Sequence, residues 1–82
     1  MKVALSSKAT KQFERLNEPH KSRIMAALRD LEYEPPKGDI KLLSGLDGFR
    51  LRVGNYRVLF GTEGDIIVVT SIAPRGQVYK GR

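Results

Sequence analysis

The tightest constraint on this chain is a pair of alternating runs around a two-residue turn. Phe49-Arg50-Leu51-Arg52-Val53 precedes Gly54-Asn55, and Tyr56-Arg57-Val58-Leu59-Phe60 follows it. Alternation with period two marks a strand with one covered face, and Gly-Asn is a loop of the kind that closes a hairpin. Such a turn predicts a register: Val53 opposite Tyr56, Arg52 opposite Arg57, Leu51 opposite Val58, Arg50 opposite Leu59, and Phe49 opposite Phe60. Directly opposed residues share a face. One face of the hairpin is then wholly apolar or aromatic. The other holds Arg50, Arg52 and Arg57, with Leu59 among them.

An apolar sheet face needs cover, and the first half of the chain supplies it. Lys2 to Leu5 reads as a short strand. Ser6 or Ser7 then caps a helix, because a serine oxygen accepts from the free N–H groups of the first turn. Ala9, Phe13 and Leu16 lie on one face of that helix. Asn17-Glu18-Pro19 breaks it, and Pro19 suits the first turn of a second helix. There Ile24, Leu28 and Leu31 repeat the same spacing, until Pro35 and Pro36 end it. Beyond the hairpin, Glu63-Gly64-Asp65 marks another turn before the β-branched run from Ile66 to Ile72, a more buried strand. The expected fold is α+β, with an N-terminal strand and an αα-hairpin packed on an antiparallel β-sheet in the order β-α-α-β-β-β. Residues 1–82 are expected to form a single domain.

A domain of 82 residues buries only about 60–65% of the surface its unfolded chain exposes. Its core is thin, so a partner that covers apolar surface adds noticeably to stability. The chain has no cysteine, which excludes disulfides, thiolate metal sites and a cysteine nucleophile. No apolar run approaches the roughly 20 residues of a membrane span. Charged Lys8 and Lys11 follow the short start too closely for a signal peptide, so the expected location is the cytoplasm.

Lys and Arg number 15 against 9 Asp and Glu, a net charge of +6. Small soluble domains often carry charges of about 2–8 in magnitude, so the total alone decides little. Distribution says more. No acid occurs from Ile66 to Arg82, whereas Arg75, Lys80 and Arg82 do. Opposed like charges such as Arg52 and Arg57 destabilise a sheet, and no acid lies on their two strands. Arginine rather than lysine suits a planar, bidentate grip on phosphate oxygens. The hairpin therefore reads as an anion-binding face.

Arg75 and Tyr79 follow the last strand in a Pro- and Gly-containing segment that can fold back onto this face. The Tyr79 ring suits stacking on a base and its hydroxyl suits proton transfer, but packing on the domain edge fits the spacing equally well. His20 stands apart from the arginines and is not expected to take part in chemistry. Glu14 with Glu18, and Asp30 with Glu34, are four apart and fit solvated helix faces. Gly45-Leu46-Asp47-Gly48 lacks the lysine of a phosphate loop and carries no nucleotide signal.

The run Leu42-Leu43-Ser44-Gly45, then Gly48 through Phe60, together with Arg75 and Val78-Tyr79, resembles the signature of the RelE/ParE toxin superfamily. Likeness in element order extends over essentially the whole chain. The resemblance implies the toxin of a type II toxin–antitoxin pair, held inactive by a cognate antitoxin. Its RelE branch implies cleavage of messenger RNA in the ribosomal A site, with basic residues at Arg50, Arg52 and Arg57 and a terminal arginine and tyrosine. The ParE branch implies poisoning of DNA gyrase and generally lacks that full set. Here arginines stand at positions 50 and 52 where lysines are frequent, and the loop before Tyr79 looks shortened.

The implied reaction is attack by the RNA 2′-OH on the adjacent phosphate, which needs no metal or cofactor and leaves a 2′,3′-cyclic phosphate and a 5′-OH. In that scheme Arg57 holds the phosphate, and Arg50, Arg52 and Lys80 help bind RNA. Arg75 stabilises or protonates the leaving oxygen. Tyr79 is the base, its pKa drawn below the ordinary ~10 by neighbouring guanidiniums. The alternatives are a gyrase poison and a noncatalytic RNA-binding domain that uses the same arginines only for phosphate contacts.

Overall fold

The structure is a computed structural model, and it describes residues 1–43 and 48–76. The elements in order are β1 (Lys2–Leu5), α1 (Ser7–Glu14), α2 (His20–Asp30), β2 (Asp39–Leu42), β3 (Phe49–Val53), β4 (Tyr56–Glu63) and β5 (Ile66–Pro74). They build one five-stranded sheet in the order β1-β5-β4-β3-β2. Strands β2 to β5 pair antiparallel, and β1 joins β5 in parallel.

The β3–β4 hairpin adopts the register expected from its turn, from Phe49↔Phe60 through Arg52↔Arg57 to Val53↔Tyr56. Gly54 supplies the positive φ of 58° that the turn needs. Three strand features differ from the expectation. Strand β1 is an edge strand of the sheet itself and makes it mixed, where a strand packed on an antiparallel sheet was expected. Asp39-Ile40-Lys41-Leu42 forms an additional edge strand, β2, whose alternation is too brief to stand out in sequence. The last strand also runs two residues further, to Pro74, and shifts register opposite Leu59/Phe60 through a bulge.

Both helices lie over the apolar face. Ala9, Ile24, Leu28 and Leu31 pack with Leu51, Val58, Phe60, Ile67, Val69 and Ile72 in one buried cluster. Phe49 and Phe60 stack within it, their ring centroids 5.3 Å apart. Helix α1 is tied to β5 through Gln12, whose Oε1 accepts from the Ile72 N–H at 2.6 Å.

Of the two serines at the start of α1, Ser6 is the cap. Its Oγ accepts from the Ala9 N–H at 3.1 Å, and its own N–H donates to the Val69 carbonyl at 2.8 Å. Ser6→Ala removes the cap and is expected to cost about 1 kcal/mol. That loss corresponds to roughly 4–8 °C in a domain of this size. A thermal melt superimposable on that of the parent chain would contradict this role.

Helix α2 begins differently. Pro19 has no capping side chain, and Glu18 does the work instead. Its Oε1 accepts from the Ser22 hydroxyl at 2.7 Å and the Ser22 N–H at 3.0 Å. These bonds, the hydroxyl's first, hold the Glu18 carboxyl below its ordinary value. Their support for the helix is therefore present at neutral pH and fades as pH falls through the folded-state pKa. The helix stops at Asp30, short of the prolines. Glu32 and Tyr33 bond back only three residues, to Arg29 and Asp30, which tightens and closes the last turn.

Candidate nucleic-acid interface

On the sheet face away from the helices, the register sets the residues in rows. Asp39, Arg52, Arg57 and Ala73 form one row across β2, β3, β4 and β5. Lys41, Arg50, Leu59 and Ser71 form the next. The three hairpin arginines are thus brought together, and β2 adds Lys41 beside Arg50.

This face is less solvated than an ordinary charged surface. Leu59 is only 2% exposed, Ser71 4% and Arg57 7%. The Arg57 Nη1 donates to the Tyr56 carbonyl at 3.3 Å. Arg50 is also largely enclosed, and its Nε and Nη2 are buried without a hydrogen-bond partner among the described residues. Buried guanidinium donors without acceptors are costly, and an incoming anion relieves that cost.

Asp39 is the residue that sequence reasoning missed. Its Oδ2 lies 2.6 Å from the Arg52 Nε, and its Oδ1 lies 3.7 Å from the Arg50 Nη2. The repulsion expected between Arg52 and Arg57 is therefore relieved by a carboxylate from the neighbouring strand. Removing Arg52 consequently loses an ion pair rather than simply shedding an opposed like charge. The available signal was the short alternation Asp39-Ile40-Lys41-Leu42, which places Asp39 and Lys41 on one face if it is read as a strand.

Asp39 competes with any anion for these two guanidiniums. Asp39→Ala is expected to change stability by no more than about 1 kcal/mol, because the pair is partly exposed. It should also tighten binding of inorganic phosphate. Weaker phosphate binding in that variant would mean that Asp39 chiefly holds the arginines in place.

Arg75 is exposed just beyond β5. Its N–H donates to the Asn55 carbonyl at 2.7 Å, fastening this end of the strand to the β3–β4 turn. Arg75 thus follows closely on Ala73 and Pro74, the register partners of Arg57 and Tyr56. Tyr79 and Lys80 lie outside the described residues. His20 packs against Tyr56, with ring centroids 4.9 Å apart, on the helix side of the sheet.

Two helices on one face of a mixed five-stranded sheet form an α+β fold shared with solved structures. Residues 3–79 match the family described as ParE toxin of type II toxin-antitoxin system, parDE. The toxin–antitoxin RelE–RelB complex of the archaeon Pyrococcus horikoshii OT3 contains a chain 30% identical to this one. The match covers 93% of this chain and 96% of that one, with a TM-score of 0.76. A chain of the RelB–RelE antitoxin–toxin complex from Methanococcus jannaschii matches at 24% identity and a TM-score of 0.76, over 92% of this chain and 93% of that one. No curated protein sequence matches significantly. The chain belongs to the ParE toxin family of the RelE/ParE superfamily and is the toxin of a type II toxin–antitoxin pair.

Proposed function

We propose that this toxin is an endoribonuclease that cuts messenger RNA in the ribosomal A site and is restrained by a cognate antitoxin. The observation that carries the reading is the enclosed Arg50 guanidinium on the same face as Arg52 and Arg57: among the described residues its buried Nε and Nη2 have no hydrogen-bond partner, and Nη2 has only the long ion pair to Asp39 at 3.7 Å. Phosphate oxygens are acceptors of matching charge and geometry. A crowded, anionic phosphorane gains more from such donors than the ground-state diester does, and preorganised charge of this kind is often the largest catalytic contribution.

In this scheme the RNA 2′-oxygen attacks phosphorus as its proton leaves to a base, and the bond to the 5′-oxygen breaks. Arg57 and Arg50 hold the nonbridging oxygens, and Arg52 divides its charge between Asp39 and the RNA. Tyr79 takes the 2′-OH proton, and Arg75 stabilises the leaving 5′-oxygen. Arginine keeps its proton, which leaves the base role to a group other than the three hairpin guanidiniums. The ribosome contributes by aligning the 2′-oxygen with phosphorus, an effect worth several kcal/mol.

A cognate antitoxin is supported by the RelE–RelB complexes, each of which contains a chain with this fold. A net charge of +6 favours an acidic or amphipathic segment as the occupant. A second reading, gyrase poisoning, is favoured by the family description as a ParE toxin. The two differ in product. Incubation with translating ribosomes is expected to yield messenger fragments with 2′,3′-cyclic phosphate and 5′-OH ends. Intact messenger at saturating toxin would contradict the nuclease reading.

A further inference from the structure

The arginine face continues past Arg50 into a hollow. Phe49 and Phe60 are register partners, so the next step along the hairpin brings Gly48 towards Gly61. A cavity of about 320 Å³ opens there, lined in part by Leu43, Gly48, Leu59, Gly61, Thr62 and Thr70. That size is at the small end of the ~300–1,000 Å³ typical of small-molecule sites. Gly61 shares a face with Leu59, two residues before it on β4, a spacing of about 6.8 Å along the strand. Arg50 is the cross-strand partner of Leu59.

The two glycines have different reasons to be there. Gly48 has φ of 110°, and a Cβ on it would lie 2.8 Å from the Phe60 carbonyl oxygen, so the backbone requires it. Gly61 has no such need. Its φ is not in the left-handed region, and an added Cβ would meet nothing within 4 Å. Glycine inside a strand weakens the strand and removes a side chain that could pack. Strand β4 lies between β3 and β5, where that weakness matters most. What Gly61 provides is bare backbone facing an open hollow.

The surroundings suit a flat, partly polar ligand. Leu59, only 2% exposed, gives an apolar floor. Thr70 gives a hydroxyl at the rim and donates its own proton to the Leu59 carbonyl at 3.3 Å, which leaves its oxygen as an acceptor. Arg50, the register partner of Leu59, stands beside it; its buried Nε and Nη2 have no hydrogen-bond partner among the described residues, and Nη2 lies 3.7 Å from the Asp39 Oδ1. An apolar slot beside a guanidinium matches the two halves of a nucleotide.

We propose that the Gly48–Gly61 slot receives one nucleobase of the RNA whose phosphate lies on Arg50, so that this slot selects the nucleotide beside the cut. The inference rests on the RNA-cleaving reading and deepens it. Gly61 is then a specificity-determining residue rather than a catalytic one.

NMR titration of the full chain with adenosine 5′-monophosphate and with ribose 5-phosphate tests this. The base-bearing ligand is expected to bind about tenfold tighter, from the apolar surface that its base buries. Gly61→Val fills the slot and should abolish that difference while leaving ribose 5-phosphate binding unchanged. Gly61→Ala, a smaller plug, should reduce it and serves if the valine chain does not fold. Equal binding of the two ligands by the parent chain overturns the proposal, as does a preference that survives both substitutions. Loss of antitoxin binding with the base preference intact would assign the slot to the protein partner instead. The cleavage assay fails independently: base preference without cleavage removes the nuclease reading, and cleavage without base preference removes the slot.

Discussion

Arg57→Ala is expected to lower single-turnover cleavage about 10²–10³-fold, the usual cost of removing one preorganised donor to a transition-state anion. Growth arrest on expression should be lost with it. Arg57 sits on β4, opposite Arg52 on β3 and Ala73 on β5, at the centre of the cationic rows. At 7% exposure its aliphatic stem is part of the packing as well as a carrier of charge. The alanine variant should therefore also be less stable, by about 0.5–3 kcal/mol. Arg57→Lys separates the two effects, because it keeps the stem and the charge but loses the fork that grips two oxygens. Its cleavage rate should fall between those of the parent chain and the alanine variant while its melting temperature stays close to the parent's. A folded alanine variant that cleaves at the parent rate would remove Arg57 from the site.

Tyr79→Phe is expected to slow the chemical step about 10²–10⁴-fold, the range of general acid–base catalysis. Ribosome binding should barely change, since phenylalanine keeps a ring able to stack. Were stacking the real contribution, phenylalanine would be nearly neutral and alanine would be the damaging change. Single-turnover cleavage on saturating ribosomes reads chemistry apart from binding. A parent-like rate for the phenylalanine variant would take proton transfer away from Tyr79. The arginines would then act with a ribosomal group or a water as the base.

The hairpin was legible because its determinants are local. A two-residue turn and strict alternation dictate the register, and the register dictates which side chains share a face. Helix positions were legible for the same reason, through the spacing of Ala9, Ile24, Leu28 and Leu31. What the sequence did not disclose depends on contacts distant along the chain. Lys2–Leu5 was legible as a strand, but its place was not: it pairs in parallel with β5, a contact with residues more than sixty positions later. Strand β2 has only four residues and is held by its neighbour β3. Missing it also concealed Asp39, and with Asp39 the electrostatic balance of the arginine face. The burial of Leu59 and Arg57 was equally invisible, because alternation predicts which face a residue takes but not how enclosed that face becomes.

Cleavage of RNA on the ribosome by the arginine face is read out by primer extension after in vitro translation. Purified toxin is added to a defined messenger with ribosomes, to the same messenger without them, and to gyrase with supercoiled DNA. Discrete cuts within codons are expected, present only with ribosomes, missing for Arg57→Ala, and suppressed by the cognate antitoxin. Uncut messenger together with accumulated gyrase–DNA cleavage complexes would contradict that expectation and make the protein a gyrase poison.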